Sequence, residues 1–122
     1  PCIAEENHRY RNACLSNDSM ISRGKLRAFL IDGSFIDIWF SQKIQGRFSY
    51  HWERRHIDGS MYRHDNFPDF NWQRVSTYPK HFHNGSQDPV EESHIQDNPI
   101  LGLREFMEFV RLKLSRNGEE SD

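Results

Sequence analysis

The chain has few cysteines and no long hydrophobic run, and each shortage excludes a class of protein. Its 122 residues include only 2 cysteines, Cys2 and Cys14, without a Cys-x-x-Cys pair, so the sequence indicates neither a zinc ribbon nor a disulfide scaffold. No apolar stretch approaches the ~18 residues that a transmembrane helix needs, and the first residues lack the apolar core of a signal peptide. We therefore expect a cytoplasmic protein without a membrane partner.

An excess of one charge is also missing, because the formal net charge is only −2. The balance conceals a basic middle segment: residues 23–63 contain eight Lys and Arg against four Asp and Glu, whereas residues 64–122 contain six against eleven. A polyanion would therefore meet this middle segment rather than the chain as a whole. The composition excludes a strongly basic nucleic-acid-binding protein but leaves a local contact with nucleic acid open.

The length suits one domain, so we expect residues 1–122 to form a single unit. Hydrophobic residues make up 35% of the chain, and large aromatic rings can fill a core that has few aliphatic side chains. Residues 1–22 are mostly polar and are predicted to contain no more than a short helix.

Two hairpins are predicted within residues 25–66, and together they form a four-stranded antiparallel meander. Asp32-Gly33 and Asp58-Gly59 each separate two runs of strand-forming residues, and Asp-Gly is typical of a two-residue type I′ turn. Such turns determine which residues face each other across the strands. They predict the pairs Phe29 with Ile36, Arg27 with Ile38, Trp52 with Asp65, Glu53 with His64, Arg54 with Arg63, and His51 with Asn66.

The same turns predict which side chains share a face of the sheet, since alternate residues of a strand point the same way. The first hairpin is predicted to combine Phe29, Ile31, Ile36, Ile38 and Phe40 on one face. The second is predicted to combine Tyr50, Trp52, Arg54, His56, Met61, Arg63 and Asp65, with His51, Glu53, Arg55, Tyr62 and His64 opposite.

Residues 99–115 form the clearest helix of the sequence, because apolar residues recur at helical spacing and Asn98 is a good N-cap. This helix is predicted to pack on one face of the sheet, which gives an α+β fold. Residues 67–98 are predicted to form a long loop whose segment 75–83 lies along a sheet edge, since a proline cannot donate within a central strand. Residues 116–122 are expected to be a frayed tail.

His81 and His83 are the first candidates for chemistry. Two residues apart on an extended segment, their imidazoles point the same way. Such a pair can share acid and base roles or can hold a transition metal. The alternative is two surface histidines on a loop.

Arg63, Asp65 and Tyr50 are the second set of candidates, because they share a predicted face. An arginine fork stabilises phosphate charge, a carboxylate orients a histidine, and a phenol can donate to phosphate. A structural Arg–Asp pair and a half-buried tyrosine ring are the alternatives. A mixture of cations and aromatic rings suits contact with phosphates and bases, although it also describes a solvated pair of strands. The candidate nucleic-acid-binding residues are Lys43, Arg47, Trp52, Arg54, Arg55 and Lys80.

Three functions are compatible with these residues. Histidine and arginine with few carboxylates suit RNA cleavage without a cofactor, in which one group removes the 2′-hydroxyl proton and another protonates the leaving oxygen. A divalent transition metal bound by His81, His83 and Asp65 would instead make a metal-dependent hydrolase. A module without chemistry could inhibit a nucleic-acid or protein target by occupying it.

The ordered motifs of residues 25–114 resemble those of the TumE-like toxins. The matching residues are Asp32-Gly33-Ser34, Ser49-Tyr50-His51-Trp52, Asp58-Gly59, Tyr62-Arg63, Asp65-Asn66, Pro68, Pro79, His81 and His83. The resemblance implies the toxin of a toxin–antitoxin system, with a helix-turn-helix antitoxin as partner. Asp69 and Phe70 stand where the family usually has two histidines, which leaves the activity of this chain open. Formation of a homodimer is also left open by the sequence.

Overall fold

The computed structural model describes residues 20–22 and 24–120, which form one antiparallel sheet and a long helix. Consecutive strands are neighbours throughout, in the order β1 to β7. The strands are β1 (Met20–Ser22), β2 (Lys25–Phe29), β3 (Phe35–Phe40), β4 (Phe48–Arg54), β5 (Ser60–Asp65), β6 (His81–Asn84) and β7 (Val90–Glu92). The helices are α1 (Arg55–Asp58) and α2 (Pro99–Glu120), with a short 3₁₀ turn at Phe70–Trp72.

The α+β fold, the antiparallel meander and the C-terminal helix are confirmed, whereas the count of four strands is wrong. The four predicted strands correspond to β2, β3, β4 and β5. The predicted edge segment 75–83 is corrected as well, because its last residues belong to β6, which lies between β5 and β7. Pro79 precedes β6, so it removes no hydrogen bond from the ladder. The short helix predicted in residues 1–22 lies outside the described residues. Of this segment only residues 20–22 are described, and they form β1.

The first hairpin differs from its predicted register by one residue. Phe29 pairs with Phe35 rather than with Ile36, because the N–H of Leu30 donates to the carbonyl of Ser34 at 2.8 Å and encloses a three-residue loop. Gly33 supplies the positive φ of 92° that ends this loop. A slip of one residue moves every side chain of β2 to the other face relative to β3, while Ile36 and Ile38 keep their predicted face. The buried face is therefore made by Leu26, Ala28, Leu30, Ile36 and Ile38.

The second hairpin differs from its predicted register by three residues. The connection contains α1 and Gly59 rather than a two-residue turn. Trp52 consequently pairs with Tyr62, and His51 pairs with Arg63. The predicted pairing of Arg54 with Arg63, which would have been unfavourable, does not occur, since Arg54 pairs with Ser60.

Helix α2 covers one face of the sheet and forms the core with it. The Asn98 Oδ1 atom accepts hydrogen bonds from the N–H groups of Ile100 and Leu101, which confirms the N-cap. The Phe106 ring lies 5.8 Å from the ring of Tyr50, and that of Phe109 lies 5.2 Å from the ring of Tyr62. We call this side of the sheet the helix face. The side chains buried there include Leu30, Ile36, Ile38, Phe48, Tyr50, Trp52, Phe106 and Val110.

Two details of α2 differ from the prediction. The helix continues to Glu120, so residues 116–120 do not form a frayed tail. The helical spacing also places Ile100 in the apolar stripe with Leu103 and Met107, but Ile100 is 70% exposed and lies outside the stripe. Among residues 20–22 and 24–120, no helix has the length and hydropathy needed to cross a membrane.

Candidate active site

The opposite side of the sheet, which we call the site face, brings the candidate histidines beside the candidate carboxylate. Asp65 on β5 pairs directly with His81 on β6, and Arg63 pairs with His83. Across the other edge of β5, Arg63 pairs with His51 on β4. Since residues paired across strands point the same way, these five side chains form one cluster.

Asp65, His81 and His83 are almost completely buried at the base of this cluster, with exposed fractions of 4%, 2% and 1%. The Nε2 atom of His81 lies 3.3 Å from Asp65 Oδ1, and that of His83 lies 3.7 Å from Asp65 Oδ2. One ligand atom from each of the three residues lies within 4.8 Å of the others. Buried polar side chains at such separations act as a unit rather than as separate surface groups.

The two histidines are in different hydrogen-bonding states. The Nδ1 atom of His83 lies 2.9 Å from the carbonyl of Gln87 and therefore donates to it. Its Nε2 atom lies 3.2 Å from Nη2 of Arg63. Because a guanidinium can only donate, this contact requires the tautomer of His83 that accepts at Nε2 and carries its proton on Nδ1.

His81 has an acceptor at each ring nitrogen. Its Nδ1 atom donates to the carbonyl of Pro79 at 2.8 Å, and its Nε2 atom faces the Asp65 carboxylate. Burial opposes charge on this ring, but the Asp65 carboxylate and the Pro79 carbonyl outweigh it and raise the pKa of His81 above its ordinary value. The imidazolium form, with a proton on each nitrogen, satisfies both contacts.

The Asp65 carboxylate remains charged although it is buried. Burial alone would raise its pKa, but hydrogen bonds from His81 and from the backbone N–H of Phe67 hold the pKa far below its ordinary value. The Nε atom of Arg63 donates to Oδ2 at 3.0 Å. This site therefore keeps an ionised acid beside one histidine whose contacts favour the charged form and a second histidine whose Nε2 atom faces a guanidinium.

Arg63 connects the cluster to its surroundings. Besides Asp65 and His83, its Nη1 atom donates to Nδ1 of His51 at 3.3 Å, and Nη2 donates to Gln87 Oε1 at 3.2 Å. The other nitrogen of His51 lies 3.0 Å from Glu53 Oε1. Burial, together with the nearby Arg63 charge, lowers the pKa of His51, so this histidine is a neutral neighbour of the guanidinium.

A cavity of ≈360 Å³ opens above the cluster. The ring of Trp72 forms one wall, with its centroid 6.2 Å from that of His81 and 6.0 Å from that of His83. Asp69, which replaces a histidine usual in the resembling family, also lines this cavity. Phe70, which replaces the second, is 80% exposed and lines no part of it.

Tyr50 was assigned to this site from the sequence, and its predicted position is wrong. It lies on the helix face, is 2% exposed, and has a pKa that burial raises to about 12. The three-residue register change placed His51 on the site face instead. Sequence reasoning also missed Trp72 and Gln87, since only the folding of residues 67–89 over the sheet brings them to the cluster. The sequence could have placed His51 opposite Arg63 only if the length of the connection between β4 and β5 had been known.

The predicted nucleic-acid-binding residues do not form one surface. Trp52 is fully buried and Arg54 is 5% exposed. The Lys80 ammonium donates to the Ile95 carbonyl and to Asp97. Lys43 and Arg47 lie in the β3–β4 connection, at the opposite end of β4 from Arg54 and Arg55, about 20 Å away for a strand of this length.

Arg54 belongs to a structural network that uses a repeated tetrapeptide, Ile-Asp-Gly-Ser, at residues 31–34 and 57–60. In each copy the aspartate Oδ1 atom accepts from the N–H and hydroxyl groups of the serine. Arg54 donates to the remaining oxygen of both aspartates, at 2.6 Å to Asp32 and 2.9 Å to Asp58. The hydroxyl of Ser34 in turn accepts from the indole of Trp52 at 2.9 Å. One arginine thus joins the connection between β2 and β3 to the connection between β4 and β5.

Protonation of the partly buried His64 should make the protein less stable in acid. Its ring stacks on Phe82 at 4.1 Å on the helix face, and burial, with the Lys80 charge nearby, lowers its pKa to about 4. The pKa of His64 is lower in the folded than in the unfolded protein. The contribution of neutral His64 to the free energy of unfolding is therefore complete above pH 6.5 and is lost as the pH falls towards 4. From these pKa values, the free energy of unfolding should fall by about 2 kcal/mol between pH 6.5 and 4.5. Urea unfolding at several pH values measures it, and a His64→Gln variant with the same pH slope would contradict the assignment.

Comparison with known families adds an independent finding. The family model described as Toxin TumE matches residues 4–114, which is most of the chain and includes every strand of the sheet. No curated protein and no solved structure matches the chain.

Proposed function

The chain belongs to the TumE toxin family and is the toxin component of a toxin–antitoxin system, and we propose that it acts in the cytoplasm by cleaving RNA through acid–base chemistry. The observation that carries the proposal is the unequal pair of histidines on one buried carboxylate, since the contacts of His81 favour its imidazolium form whereas Nε2 of His83 faces the Arg63 guanidinium. A general acid and a general base side by side are what transfer of a phosphodiester to its own 2′-hydroxyl requires.

In this reaction His83 Nε2 removes the proton of the 2′-hydroxyl, and the 2′-oxygen forms a bond to phosphorus. The bond between phosphorus and the 5′-oxygen breaks, and the Nε2–H of His81 gives its proton to that oxygen. Asp65 keeps His81 charged before the step, and the two carbonyls on the Nδ1 atoms hold both rings in position. The products are a 2′,3′-cyclic phosphate and a 5′-hydroxyl.

Arg63 stabilises the phosphorane in this proposal. Its guanidinium is the exposed part of the cluster, with 23% of the side chain accessible against 5% for Asp65. It lies within hydrogen-bonding distance of His83, so a phosphate beside the base would also meet the guanidinium. A planar fork that donates two hydrogen bonds strengthens as charge develops on the phosphate oxygens.

The experiment that tests the function is the cleavage of a labelled oligoribonucleotide by the purified toxin in EDTA, beside the same sequence as DNA. We expect cutting of RNA alone and a cyclic phosphate at the new 3′ end, because the nucleophile is the 2′-hydroxyl. Cutting of both substrates, or a product with a 3′-hydroxyl, would contradict the mechanism. If neither substrate were cut, either in EDTA or with an added transition metal, the proposal would give way to inhibition by occupancy.

A metal-dependent hydrolase is the second candidate, and one observation favours it. Asp65, His81 and His83 offer three ligand atoms within 4.8 Å of one another. Atoms bound to one zinc at ~2.1 Å are at most ~4.2 Å apart, so the three side chains would move slightly closer together to share an ion. The carbonyls on both Nδ1 atoms resemble the supports that metal-binding histidines use. The Arg63 cation beside two of the three residues opposes a second positive charge. Activity lost in EDTA and restored by a transition metal would select this candidate.

A toxin of this family implies an antitoxin that binds it. We propose that the antitoxin carries a helix-turn-helix. Purification of the toxin with the product of the adjacent coding region, followed by a DNA-binding assay of the complex, tests this partner.

A further inference from the structure

A second cavity continues the candidate active site across the sheet. It measures ≈550 Å³ and is lined by side chains of β2, β3 and β4. Ser49, Arg63 and Phe67 line both cavities, so the two form one groove along the site face. From Arg27 to His83 the groove crosses four strand spacings, which is about 19 Å.

Asp65 and Asp69 add two carboxylates to the first cavity, whereas cations exceed carboxylates in the second cavity. Lys25, Arg27, Arg55 and Arg63 line it beside the carboxylates of Asp37 and Glu53, and the exposed fractions of the Arg27 and Arg55 side chains are 34% and 58%. His51, the remaining titratable group of the second cavity, is the neutral neighbour of Arg63. The second cavity therefore attracts a polyanion locally, although the net charge of the chain is negative.

Two aromatic rings lie in the middle of the groove. The rings of Trp39 and Phe67 stack with centroids 5.4 Å apart and an angle of 18°, while Phe67 remains 42% exposed. The guanidinium of Arg47 lies 5.4 Å from the Phe67 ring. The backbone N–H of Phe67 donates to Asp65 Oδ1 at 3.0 Å, so the backbone that carries this ring is bound to the proposed catalytic carboxylate.

We propose that the groove binds single-stranded RNA, with one base stacked on Phe67 beside the phosphate that is cut. Stacking on an exposed ring requires an unpaired base, and the arginines can follow the backbone on either side of it. A duplex presents its bases edge-on within a stack and cannot supply this contact. The inference rests on the proposed RNA cleavage and specifies its substrate as unpaired RNA and its positioning residue as Phe67.

The test compares Phe67→Ala with Phe70→Ala, since Phe70 is an equally large exposed ring three residues away that lines neither cavity. A fluorescent 2′-O-methyl oligoribonucleotide serves as the probe because its blocked 2′-oxygen cannot attack. Loss of one stacking contact should weaken binding roughly 5- to 100-fold for Phe67→Ala and leave Phe70→Ala equal to the unmodified toxin. A duplex of the same sequence should bind more weakly than the single strand.

The outcomes separate this inference from the proposed function. Cleavage of RNA by a toxin whose Phe67→Ala variant binds and cuts normally would overturn the inference and leave the function intact. Binding that depends on Phe67, without cleavage of an unmodified strand, would support the groove and overturn the chemistry. Equal binding of single strand and duplex, or binding of neither, would also overturn the inference.

Discussion

Replacement of His81 by glutamine should slow RNA cleavage by roughly 10²- to 10⁴-fold, the usual contribution of a general acid. Glutamine can still donate a hydrogen bond towards Asp65, but it cannot supply a proton to the leaving 5′-oxygen. Because His81 is 2% exposed, alanine would leave a cavity, and glutamine separates loss of the proton from loss of the fold. Single-turnover cleavage rates, measured beside the thermal midpoint of each variant, check this result.

The matched control is His94→Gln, since His94 is exposed and lies outside the cluster. It should cut RNA at the unmodified rate. The double variant of His81 and His83 should be little slower than either single variant, because an acid and a base that act in one step are not additive. A folded His81→Gln protein with normal cleavage would refute the assignment of the acid.

Replacement of Arg54 by methionine should lower the free energy of unfolding by about 3 kcal/mol. Removal of one partner from a buried ion pair commonly costs 3–5 kcal/mol, and we take the lower end because the Asp32 and Asp58 side chains are 28% and 42% exposed. The variant removes the hydrogen bonds to both aspartates and the contact of the guanidinium with Trp52 at 4.8 Å. Urea unfolding at neutral pH measures the change, and the melting temperature should fall by roughly 10 °C or more.

The adjacent Arg55→Met variant controls for the loss of charge. Arg55 is 58% exposed and pairs only with Glu53 among the described side chains, so its loss should cost less than about 1 kcal/mol. Equal destabilisation by the two variants would show that the network between the repeated tetrapeptides does not stabilise the sheet. Loss of RNA binding by a fully stable Arg54→Met protein would instead restore Arg54 to the binding surface.

The candidate chemistry was predictable because it depends on local alternation. His81 and His83 are two residues apart, as are Arg63 and Asp65, and a strand places each pair on one face whatever its neighbours are. That the two pairs meet requires β5 and β6 to be adjacent, and the polar composition of residues 67–98 concealed β6. The resemblance singled out Asp32, Asp58 and Arg63 alike, although the first two stabilise connections and only the third lies in the site.

The sequence by itself determined the positions of four strands, the N-cap and core stripe of α2, and the alternation that places His81 with His83, and Arg63 with Asp65, on one face of a strand. These features depend on residues close together in the chain. Tertiary structure alone decided the register, and with it the exchange of Tyr50 for His51 and the burial of Trp52. An Asp-Gly pair is compatible with turns of two, three or five residues, and the ion pairs that Arg54 makes with both connections favour the turns found here. The choice among turns, and therefore among faces, was made by contacts that exist only after the sheet has formed.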